Sequence, residues 1–345
     1  MGAPVLVAQL RVTNALGAFD SLNPAPFAVQ PRISFTVKHS LSSAANTASI
    51  SIYNLAPDTI AKVTGTVTRR YDWTPAERAE LLAAGASAAP FEVTADGFGM
   101  GAIELSWGYA DSETMDIVSA LSVGFVGQSL RMSAPPGLDR VLTIEAEDGS
   151  QSLGAAEVVQ LAGAGAVAYQ AKSYKAGTDV VDIIVDLINA LGLSVDRGEL
   201  SNAIQAAMAE RGLPLAETKI IGGYNSSGSA RAQLEAFLSA LALRWSIQDG
   251  AFILLSRSGL IPGFPPFQLS TLAANIVGQP KIGEAGKLSI TTWATTAAKP
   301  GRQVDVLTET IAAGYRVDES TTTGDTYSGG STVLALDELQ TLAGI

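Results

Sequence analysis

The sequence NTASISIYNL, residues 46–55, decides how the first part of the chain is interpreted. Small polar residues alternate in it with isoleucine, and this period is typical of a β-strand that buries one face. Pro57 follows shortly after and favours the first turn of a helix, so the pattern predicts an abrupt change from strand to helix. The stretch contains no reactive side chain. We therefore expect Ile50, Ile52 and Leu55 to anchor a core, and we expect the corner to have a geometric role.

Strand patterns continue on both sides of this stretch. They are VLVAQLRVTN (5–14) and RISFTVKHSL (32–41) before it, and AIELSWGY (102–109), IVSALSVGFVGQSLRMSA (117–134) and DRVLTIEAEDG (139–149) after it. Between them, TPAERAELLAAG (74–85) begins with Thr74 as a helix cap and Pro75 at the first helical position. We expect residues 57–85 to form a small helical insertion between strands. Residues 1–150 are thus predicted to form a β-barrel or β-sandwich with a helical insertion at about 57–100.

The middle of the chain changes to a helical period. GTDVVDIIVDLINALGL (177–193) places its apolar residues on one helix face, with Thr178 as the expected N-cap and Gly192 as the expected end. NAIQAAMAERG (202–212) indicates a second, weaker helix.

A third helix is indicated by SARAQLEAFLSALAL (229–243), with Ser229 as its N-cap. Asp249 and Gly250 then separate two apolar runs, which predicts a β-hairpin. We therefore expect residues 166–257 to form an α+β unit.

The last part, 258–345, is predicted to be β-structure. Its strand patterns are KLSITTWA (287–294), RQVDVLTE (302–309), AGYRVDEST (313–321) and TVLALDEL (332–339). The polar stretch TTTGDTYSGGST (321–332) is interpreted as a loop. The fold class is therefore α+β and mainly β.

The composition excludes several kinds of chemistry. The chain has no cysteine and one histidine, so thiolate nucleophiles, disulfides and His-rich metal sites are ruled out. Its net charge is −11, the wrong sign for holding a nucleic-acid backbone. The first residues lack the pattern of a secretory signal, and no apolar run is long enough to predict a membrane helix. We expect no membrane binding by this chain.

The remaining candidate sites favour structural interpretations. His39 lies at the end of a strand pattern. GFGMGA (97–102) has the spacing of a dinucleotide-binding loop, but a strand pattern follows where that site needs a helix. The carboxylates of EAEDG (145–149) and of Asp182 and Asp186 fit solvated surfaces. We therefore predict no catalytic residue, no cofactor and no metal.

Several stretches, in this order, resemble the tail hub (baseplate hub) proteins of Mu-like and related long-tailed bacteriophages. They are NTASISIYNLAPDTIAKV (46–63), VGFVGQSL (123–130), DRVLTIEAEDGSQSL (139–153), KAGTDVVDIIVDLINALGL (175–193), LEAFLSALALRWSIQDGAFILL (234–255), IVGQPKIGEAGKLSITTWATTAAKPGRQVDV (276–306) and GYRVDESTTTGDTYSGGSTVLALDEL (314–339). The segment at 64–101 is longer than the family pattern, and its role is left open.

The resemblance implies an architecture and a set of partners. Residues 1–150 and 258–345 would be two tube-like β-barrels that flank the smaller α+β domain. The chain would form a homotrimer that adapts a six-fold tail tube, or a distal tail protein, to a three-fold spike. The tape measure protein and DNA would pass through its channel. It would be a structural protein of the virion, made in the cytoplasm of the bacterial host.

The resemblance also places the expected contacts at the strand-to-helix corner, on Tyr53, Asn54, Leu55 and Pro57. Three alternatives stay open at this point. The chain could be the hub of a contractile injection particle, a receptor-binding or cell-wall-binding tip protein, or a peptidoglycan-degrading tail protein. The last would need a pair of carboxylates in a cleft or a metal site.

Overall fold

A computed structural model gives the fold of the chain. It describes residues 5–14, 17–21, 31–42, 44, 46–55, 59–60, 63, 67–71, 79, 82–83, 91–95, 102–110, 123–133, 139–148, 157–158, 172–191, 193, 195–210, 212, 219–226, 228–248, 251–256, 258–283 and 286–339.

The first part of the chain is an antiparallel sheet. Its strands are β1 (Val5–Asn14), β2 (Gly17–Asp20), β3 (Ile33–Ser40), β4 (Asn46–Tyr53), β5 (Val67–Tyr71), β6 (Phe91–Ala95), β7 (Ala102–Ala110), β8 (Val123–Ser133) and β9 (Val141–Asp148). Seven of them pair in the order β3-β4-β9-β8-β7-β1-β2. Ile50 and Ile52 are fully buried, as their alternation with serine predicts.

The segment predicted to be a helical insertion contains strands as well. β5 pairs antiparallel with β6 in a separate two-stranded sheet, although β5 falls inside the range 57–85 that we expected to be helical. Helical geometry occurs at residues 59–60, 63, 79 and 82–83. The helix cap at Thr74 and Pro75 lies outside the described residues. The correction has a physical reason, because the TRRY part of β5 has too few apolar residues to display a strand period.

The middle of the chain contains three helices among its described residues. The elements are β10 (Glu157–Val158), β11 (Lys172–Tyr174), α1 (Val180–Ala190), α2 (Arg197–Glu210), β12 (Tyr224–Ser226), β13 (Gly228–Ser229), α3 (Ala230–Ala240), β14 (Arg244–Gln248) and β15 (Ala251–Leu255). β10 pairs with β13, β11 with β12 and β14 with β15. The last pair is the predicted hairpin, although Asp249 and Gly250 themselves lie outside the described residues.

The N-cap of α3 is the residue that we predicted, and the N-cap of α1 is a different one. Ser229 caps α3, since its hydroxyl accepts a hydrogen bond from the backbone N–H of Ala232. The cap of α1 is Asp179 rather than Thr178, whose hydroxyl donates to the Lys175 carbonyl instead. An ionised carboxylate is also the better partner for the positive end of the helix dipole. Gly192 lies outside the described residues.

The last part of the chain returns to β-structure. Its strands are β16 (Phe267–Ser270), β17 (Lys281–Ile282), β18 (Leu288–Trp293), β19 (Gln303–Leu307), β20 (Ala312–Asp325) and β21 (Gly329–Glu338). The predicted loop 321–332 is wrong, because β20 runs to Asp325 and β21 begins at Gly329. Only three residues turn between them, and Gly329 has φ +90°, the left-handed conformation that closes such a hairpin. Threonine-rich strands with two polar faces resemble loops in composition, which explains the error.

The two β-rich parts form one sheet. β20 pairs antiparallel with β3, and this seam joins residues 319–325 to residues 34–40. Thirteen of the described strands then follow the path β17-β18-β21-β20-β3-β4-β9-β8-β7-β1-β2, with β19 beside β20 and β16 beside β19. The described pairings leave the sheet open at β17 and β2. The closed barrels expected from the resemblance are not among these pairings.

Three hydrophobic clusters fill the described structure. The first lies almost wholly within the first part of the chain, from Leu6 to Ala146, and takes in Ala294 from the last part. The second uses the buried faces of α1, α2 and α3 with β14. The third lies between Leu269 and Leu336. No helix in the described part of the chain is both long and apolar enough to cross a membrane.

Candidate functional site

Strand β20 changes its partner at Asp318. Up to Arg316 it pairs with β19, and from Glu319 onward it pairs with β3. Its register with β21 shifts between Val317 and Glu319, which marks a β-bulge that bends the strand locally. The carbonyl of Asp318 accepts a hydrogen bond of 2.9 Å from the N–H of Leu41, just beyond β3. Asp318 is therefore the point at which the two β-rich parts meet.

A group of five charged residues surrounds this point, and we call it the junction cluster: Arg244, Lys287, Arg316, Asp318 and Asp337. Oδ2 of Asp318 accepts from Nη1 of Arg244 at 2.8 Å and lies 3.0 Å from Nζ of Lys287. Its Oδ1 accepts from Nη2 and Nε of Arg316 at 3.0 and 3.1 Å. Nη2 of Arg316 also lies 3.2 Å from Asp337. The side chains of Arg316 and Asp318 are 1% and 2% exposed.

The electrostatics of the junction cluster keep Asp318 ionised. Burial alone would raise the pKa of Asp318, but the hydrogen bond from Lys287 and the charges of Arg316 and Arg244 outweigh burial and lower it. A carboxylate buried without such partners is strongly unfavourable. Arg244 belongs to β14 of the α+β unit, whereas Arg316 and Asp318 belong to β20. The cluster is therefore satisfied only when these two parts hold one relative position.

Amide side chains make further contacts between the α+β unit and each of the two β-rich parts. Nδ2 of Asn46, on β4, donates to the Ile247 carbonyl at 2.6 Å, while its Oδ1 accepts from the N–H of Ser40. Nε2 of Gln248 donates to the Pro300 carbonyl at 3.3 Å. Both amides are buried. The α+β unit is thus attached to the first and to the last part of the chain at the same place.

The opposite end of the seam is held by a more exposed ion pair. Nη2 and Nε of Arg32 donate to Asp325, the former at 2.6 Å and the latter at 3.1 Å. The guanidinium carbon of Arg32 lies 4.5 Å from the ring centre of Tyr53 and 5.6 Å from that of Tyr327. Burial would raise the pKa of Asp325, but the hydrogen bond from Arg32 and two backbone N–H groups lower it.

The predicted contact residues lie next to this ion pair. Tyr53 is half-buried, and its hydroxyl is 3.3 Å from that of Ser34. Asn54 is exposed with φ +56°, and its side chain donates to Asp139 and accepts from the N–H of Arg140. Leu55 is buried in the first hydrophobic cluster. Pro57 lies outside the described residues. Asn54 is thus held in place by Asp139 and Arg140, and Tyr53 and Asn54 are accessible from outside the chain.

One face of the sheet is rich in hydroxyl groups, and we call it the polar face. The face continues across the seam between β3 and β20, because the strand register places side chains that point to the same side of the sheet next to each other. It consists of Ser34, Thr36 and Lys38 on β3, Thr47, Ser49 and Ser51 on β4, Thr143, Glu145 and Glu147 on β9, Thr321 and Thr323 on β20, Ser331 and Val333 on β21, and Thr291 and Trp293 on β18. Neighbouring hydroxyls bond to each other, as between Ser51 and Thr143 at 3.1 Å.

A shallow groove of about 720 Å³ runs over the polar face at the seam. Hydroxyl side chains such as Ser34, Ser49 and Ser331 form most of its lining, and Trp293 stands at one side. The indole of Trp293 is half exposed, and its Nε1 donates to the Ala274 carbonyl. The groove can supply hydrogen bonds of both directions, but its lining has no cation.

The residues considered for chemistry do not assemble into a site. His39 is buried on β3 with its side chain on the core side, and Glu145 accepts from the Ser49 hydroxyl on the polar face. Asp182 pairs with Arg197, and Asp186 pairs with Lys172 on the helix surface. Within the described ranges, no group of three or more His, Cys, Asp or Glu side chains is placed to hold a metal ion. A strand, β7, follows GFGMGA, as predicted.

The sequence analysis missed the junction cluster and the Arg32 pair. The burial pattern that the structure shows explains why the local sequence did not reveal the first. Arg316, Val317 and Asp318 are consecutive and all buried, which breaks the strand period and requires a bulge. The Arg32–Asp325 pair spans 293 positions, and nothing local predicts it.

Solved structures of phage tail proteins share this fold. The tail protein from Neisseria meningitidis MC58 matches with a TM-score of 0.53 and 11% identity, over 96% of each chain. The 43 kDa tail protein of prophage MuSo2 from Shewanella oneidensis matches with a TM-score of 0.54 and 8% identity, over 96% of this chain and 98% of that one. The predicted resemblance to phage tail proteins is thus confirmed at the level of the fold.

The similarity to tail proteins is found in the fold and not in the sequence. No protein-family model matches the chain, and no curated protein matches it in sequence.

Proposed function

We propose that the chain is a structural subunit of a phage tail, the hub that joins the tail tube to the spike. The observation that carries the proposal is the fold match over nearly the whole length of two tail proteins. The arrangement of the sheet supports it, since its broad polar face continues from the first to the last part of the chain. Nothing in the described residues favours a reaction over this role.

Three copies would form the working unit. Each copy would contribute two tube-like barrel domains, 1–150 and 258–345, on either side of the α+β domain at 166–257. Three copies with two such domains each would present six similar positions to a six-fold tube and three-fold symmetry to a spike. The three separate hydrophobic clusters support this division of the chain. The barrels would be completed by contacts between neighbouring copies.

The polar face would line the channel of the trimer. Hydroxyl groups hydrate well and carry no charge, and Lys38 is the only cation among the residues of that face. A phosphate backbone is held by clusters of cations, so DNA would meet little to bind there. The tape measure protein and then DNA would pass over this surface. The role is structural, without a cofactor.

The corner at Tyr53, Asn54, Leu55 and Pro57 would contact neighbouring tail proteins, either the tube or distal tail protein above or the spike below. The hydrogen bonds that hold Asn54 to Asp139 and Arg140 support this role, because a surface that is already ordered loses little entropy on binding. The protein would be made in the host cytoplasm and act within the virion, in the baseplate region of the tail.

A tip protein that binds cell-surface or cell-wall saccharides is a second candidate. The half-exposed indole of Trp293 beside a hydroxyl-rich groove favours it, since aromatic faces and hydroxyl groups both suit sugars. A hub of a contractile injection particle would have the same architecture as the phage hub.

The decisive experiment is electron microscopy of the purified chain together with its mass in solution. We expect a three-fold ring with a central opening that binds tube and spike proteins. A chain that stays monomeric and binds neither the tube protein nor the spike protein would contradict the proposed hub function. Binding of the isolated chain to bacterial cells or cell-wall fragments would favour the tip protein instead.

A further inference from the structure

The outer half of the β20–β21 hairpin lies away from the core of its own part of the chain. The inner half contributes Val317, Leu334 and Leu336 to the third hydrophobic cluster. Beyond the bulge, residues 319–325 pair with β3 of the first part, and β21 stays paired with them. We call residues 319–331 the hairpin tip. The last part of the chain thus reaches across the seam and lies on the first part.

The hairpin tip covers one side of the first hydrophobic cluster. A Cβ built on Gly324 would lie 2.9 Å from Cδ2 of Leu6, and one built on Gly330 would lie 3.1 Å from the same atom. The hydroxyl of Tyr109, on β7, donates to the Gly330 carbonyl at 3.1 Å and accepts from the N–H of Ala294 at 3.1 Å. Two glycines therefore let the backbone of the tip approach this core closely.

The hairpin tip adds no buried apolar side chain to the core that it covers. From Glu319 to Ser331 the sequence has no aliphatic residue, and its one aromatic residue, Tyr327, is 87% exposed. In β4 and β9, by contrast, Ile50 and Ile144 face each other and are fully buried. Apolar burial is the main force that resists opening, whereas backbone hydrogen bonds are exchanged for bonds to water. The tip should therefore separate from β3 more easily than β4 separates from β9.

The first core keeps most of its packing when the hairpin tip is removed. Phe35 and Leu6, which the tip covers, belong to a cluster whose other members lie almost wholly within the first part of the chain. The ring of Phe35 also lies against that of Trp107, with 5.2 Å between the ring centres. Separation of the tip would expose one side of Phe35 and Leu6 and leave these contacts in place.

The two ends of the seam hold the hairpin tip with unequal strength. At the inner end, the bulge after Val317 and the buried junction cluster fix β20. At the outer end, Asp325 pairs with Arg32, whose side chain is 42% exposed. Exposed ion pairs are weak, and a bulge is a place at which a strand bends. The inner end is therefore suited to be a hinge, and the outer end to be a contact that can be released.

We propose that the hairpin tip is a strap that opens and closes over the first core, with its hinge at the bulge beside Asp318 and its release contact at Arg32 and Asp325. Strands β20 and β21 and the end of β18 move together, because their pairing continues through the tip. Opening separates Thr36 from Thr323 and so interrupts the polar face at the seam.

The motion belongs to a single chain and does not require the trimer. Its consequence for the channel rests on the proposed function, in which the polar face is the channel wall. Each copy would then carry one line, the seam, at which that wall can open.

The first test compares two strands of the unmodified chain, each of which has a paired strand on both sides: residues 319–325 of β20 and residues 141–148 of β9. Amides of a central antiparallel strand bond alternately to its two neighbours. Hydrogen exchange of the full chain, followed by mass spectrometry of its peptides, should show about half of the amides in 319–325 exchanging at least about tenfold faster than those in 141–148. Equal rates in the two segments would overturn the strap.

The second test weakens the release contact. Asp325→Asn should speed the exchange of the fast amides in 319–325 by about two- to fivefold and leave residues 141–148 unchanged, because only the local opening becomes easier. The matched control is Asp182→Asn, which removes an exposed pair with Arg197 on the α+β unit and should change neither rate. An unchanged rate at the tip would contradict the role of Arg32 and Asp325.

The third test closes the strap covalently. The chain has no cysteine, and Thr36 and Thr323 face each other across the seam, so Thr36→Cys and Thr323→Cys can be introduced together to form one disulfide. The oxidised variant should lose the fast exchange at 319–325, and reduction should restore it, while residues 141–148 stay unchanged. If oxidation slowed both segments equally, the opening would be unfolding of the whole chain, and the strap would be wrong.

The outcomes separate this proposal from the proposed function. Equal exchange in β20 and β9 would remove the strap and leave the hub standing. A chain that is monomeric at all concentrations would remove the hub, whereas fast exchange at the hairpin tip would still show the strap.

Discussion

The two ends of the seam between β3 and β20 are held by ion pairs of different kinds. At one end, Asp318 is almost fully buried and contacts three cations. At the other end, Asp325 meets one arginine, Arg32, whose side chain is 42% exposed. Strand β20 therefore contributes one aspartate to an ion pair in the protein interior and another to an ion pair near water. The comparison separates what a charge pair does in the interior from what it does in water.

The physical difference lies in what each pair replaces. An exposed pair exchanges good hydration for a modest attraction that salt screens. A buried carboxylate has already lost its hydration, so only the neighbouring cations stabilise its charge. We infer that the junction cluster fixes the relative position of the α+β unit and the sheet. The Arg32 pair contributes less to the free energy of folding and more to the local order of the corner at Tyr53.

The largest effect is expected from Asp318→Asn. The change keeps the shape of the side chain but leaves the buried Arg316 without its main counter-charge. We expect a loss of about 3–5 kcal/mol in the free energy of unfolding, the usual result of breaking a buried ion pair from one side. Denaturant unfolding followed by circular dichroism measures it. A loss no greater than that of Asp325→Asn would remove the distinction between the two ends.

The contribution of Asp318 should also depend on pH, with a sign fixed by its lowered pKa. The usual pKa of an aspartate, as in the unfolded chain, is 3.8. Above that pH, Asp318 is ionised in both states and its stabilisation is fully present. As the pH falls below 3.8 and through the lower native pKa, the unfolded chain binds the proton first, and the stabilisation is lost.

Unfolding free energies of the wild type and of Asp318→Asn, measured over this pH range, test the argument. Their difference should be constant at neutral pH and should shrink in acid. A difference that grows in acid would mean that the pKa of Asp318 is raised, and that burial outweighs the three cations.

The ion pairs were harder to predict than the elements that carry them. The strand NTASISIYNL and the helix VVDIIVDLINA display their periods within a few residues, so β4 and α1 follow from local sequence. The seam does not follow from local sequence. It pairs residues about 280 positions apart, and the patterns of these strands do not specify which other strand each one pairs with. Asp318 has no visible role until Arg244 and Lys287 are placed beside it.

The misread stretch TTTGDTYSGGST shows a second limit. Its threonines are strand formers with hydroxyl groups, and composition alone cannot separate a strand with two polar faces from a loop. Gly324 adds to the ambiguity, since glycine inside a strand resembles a turn. The structure gives the reason for this glycine: a Cβ at position 324 would clash with Cζ of Phe35, which packs over it from β3.

The middle of the seam should therefore respond strongly to one methyl group. We expect Gly324→Ala to lower the free energy of unfolding by about 1–3 kcal/mol, because Phe35 must move away from the new Cβ. The matched control is Gly222→Ala, where the added Cβ would have no atom within 4 Å. Thermal unfolding of both variants measures the difference. Equal melting temperatures would show that β3 and β20 are not packed tightly at this point.

The smallest effect is expected from Asp325→Asn at the exposed end of the seam. The amide can still accept a hydrogen bond from Arg32 and from the N–H of Tyr327, so most of the local geometry survives. What is lost is the attraction between unlike charges, which solvent and salt already weaken. We expect a small decrease in the midpoint of urea unfolding at low ionic strength, and we expect it to vanish at about 1 M salt, where the Debye length falls to roughly 3 Å. The decrease caused by Asp318→Asn should persist in the same salt, because ions cannot screen a pair that they cannot reach. If salt removed both effects, the junction cluster would be accessible to water, and its role in fixing the α+β unit would need another explanation.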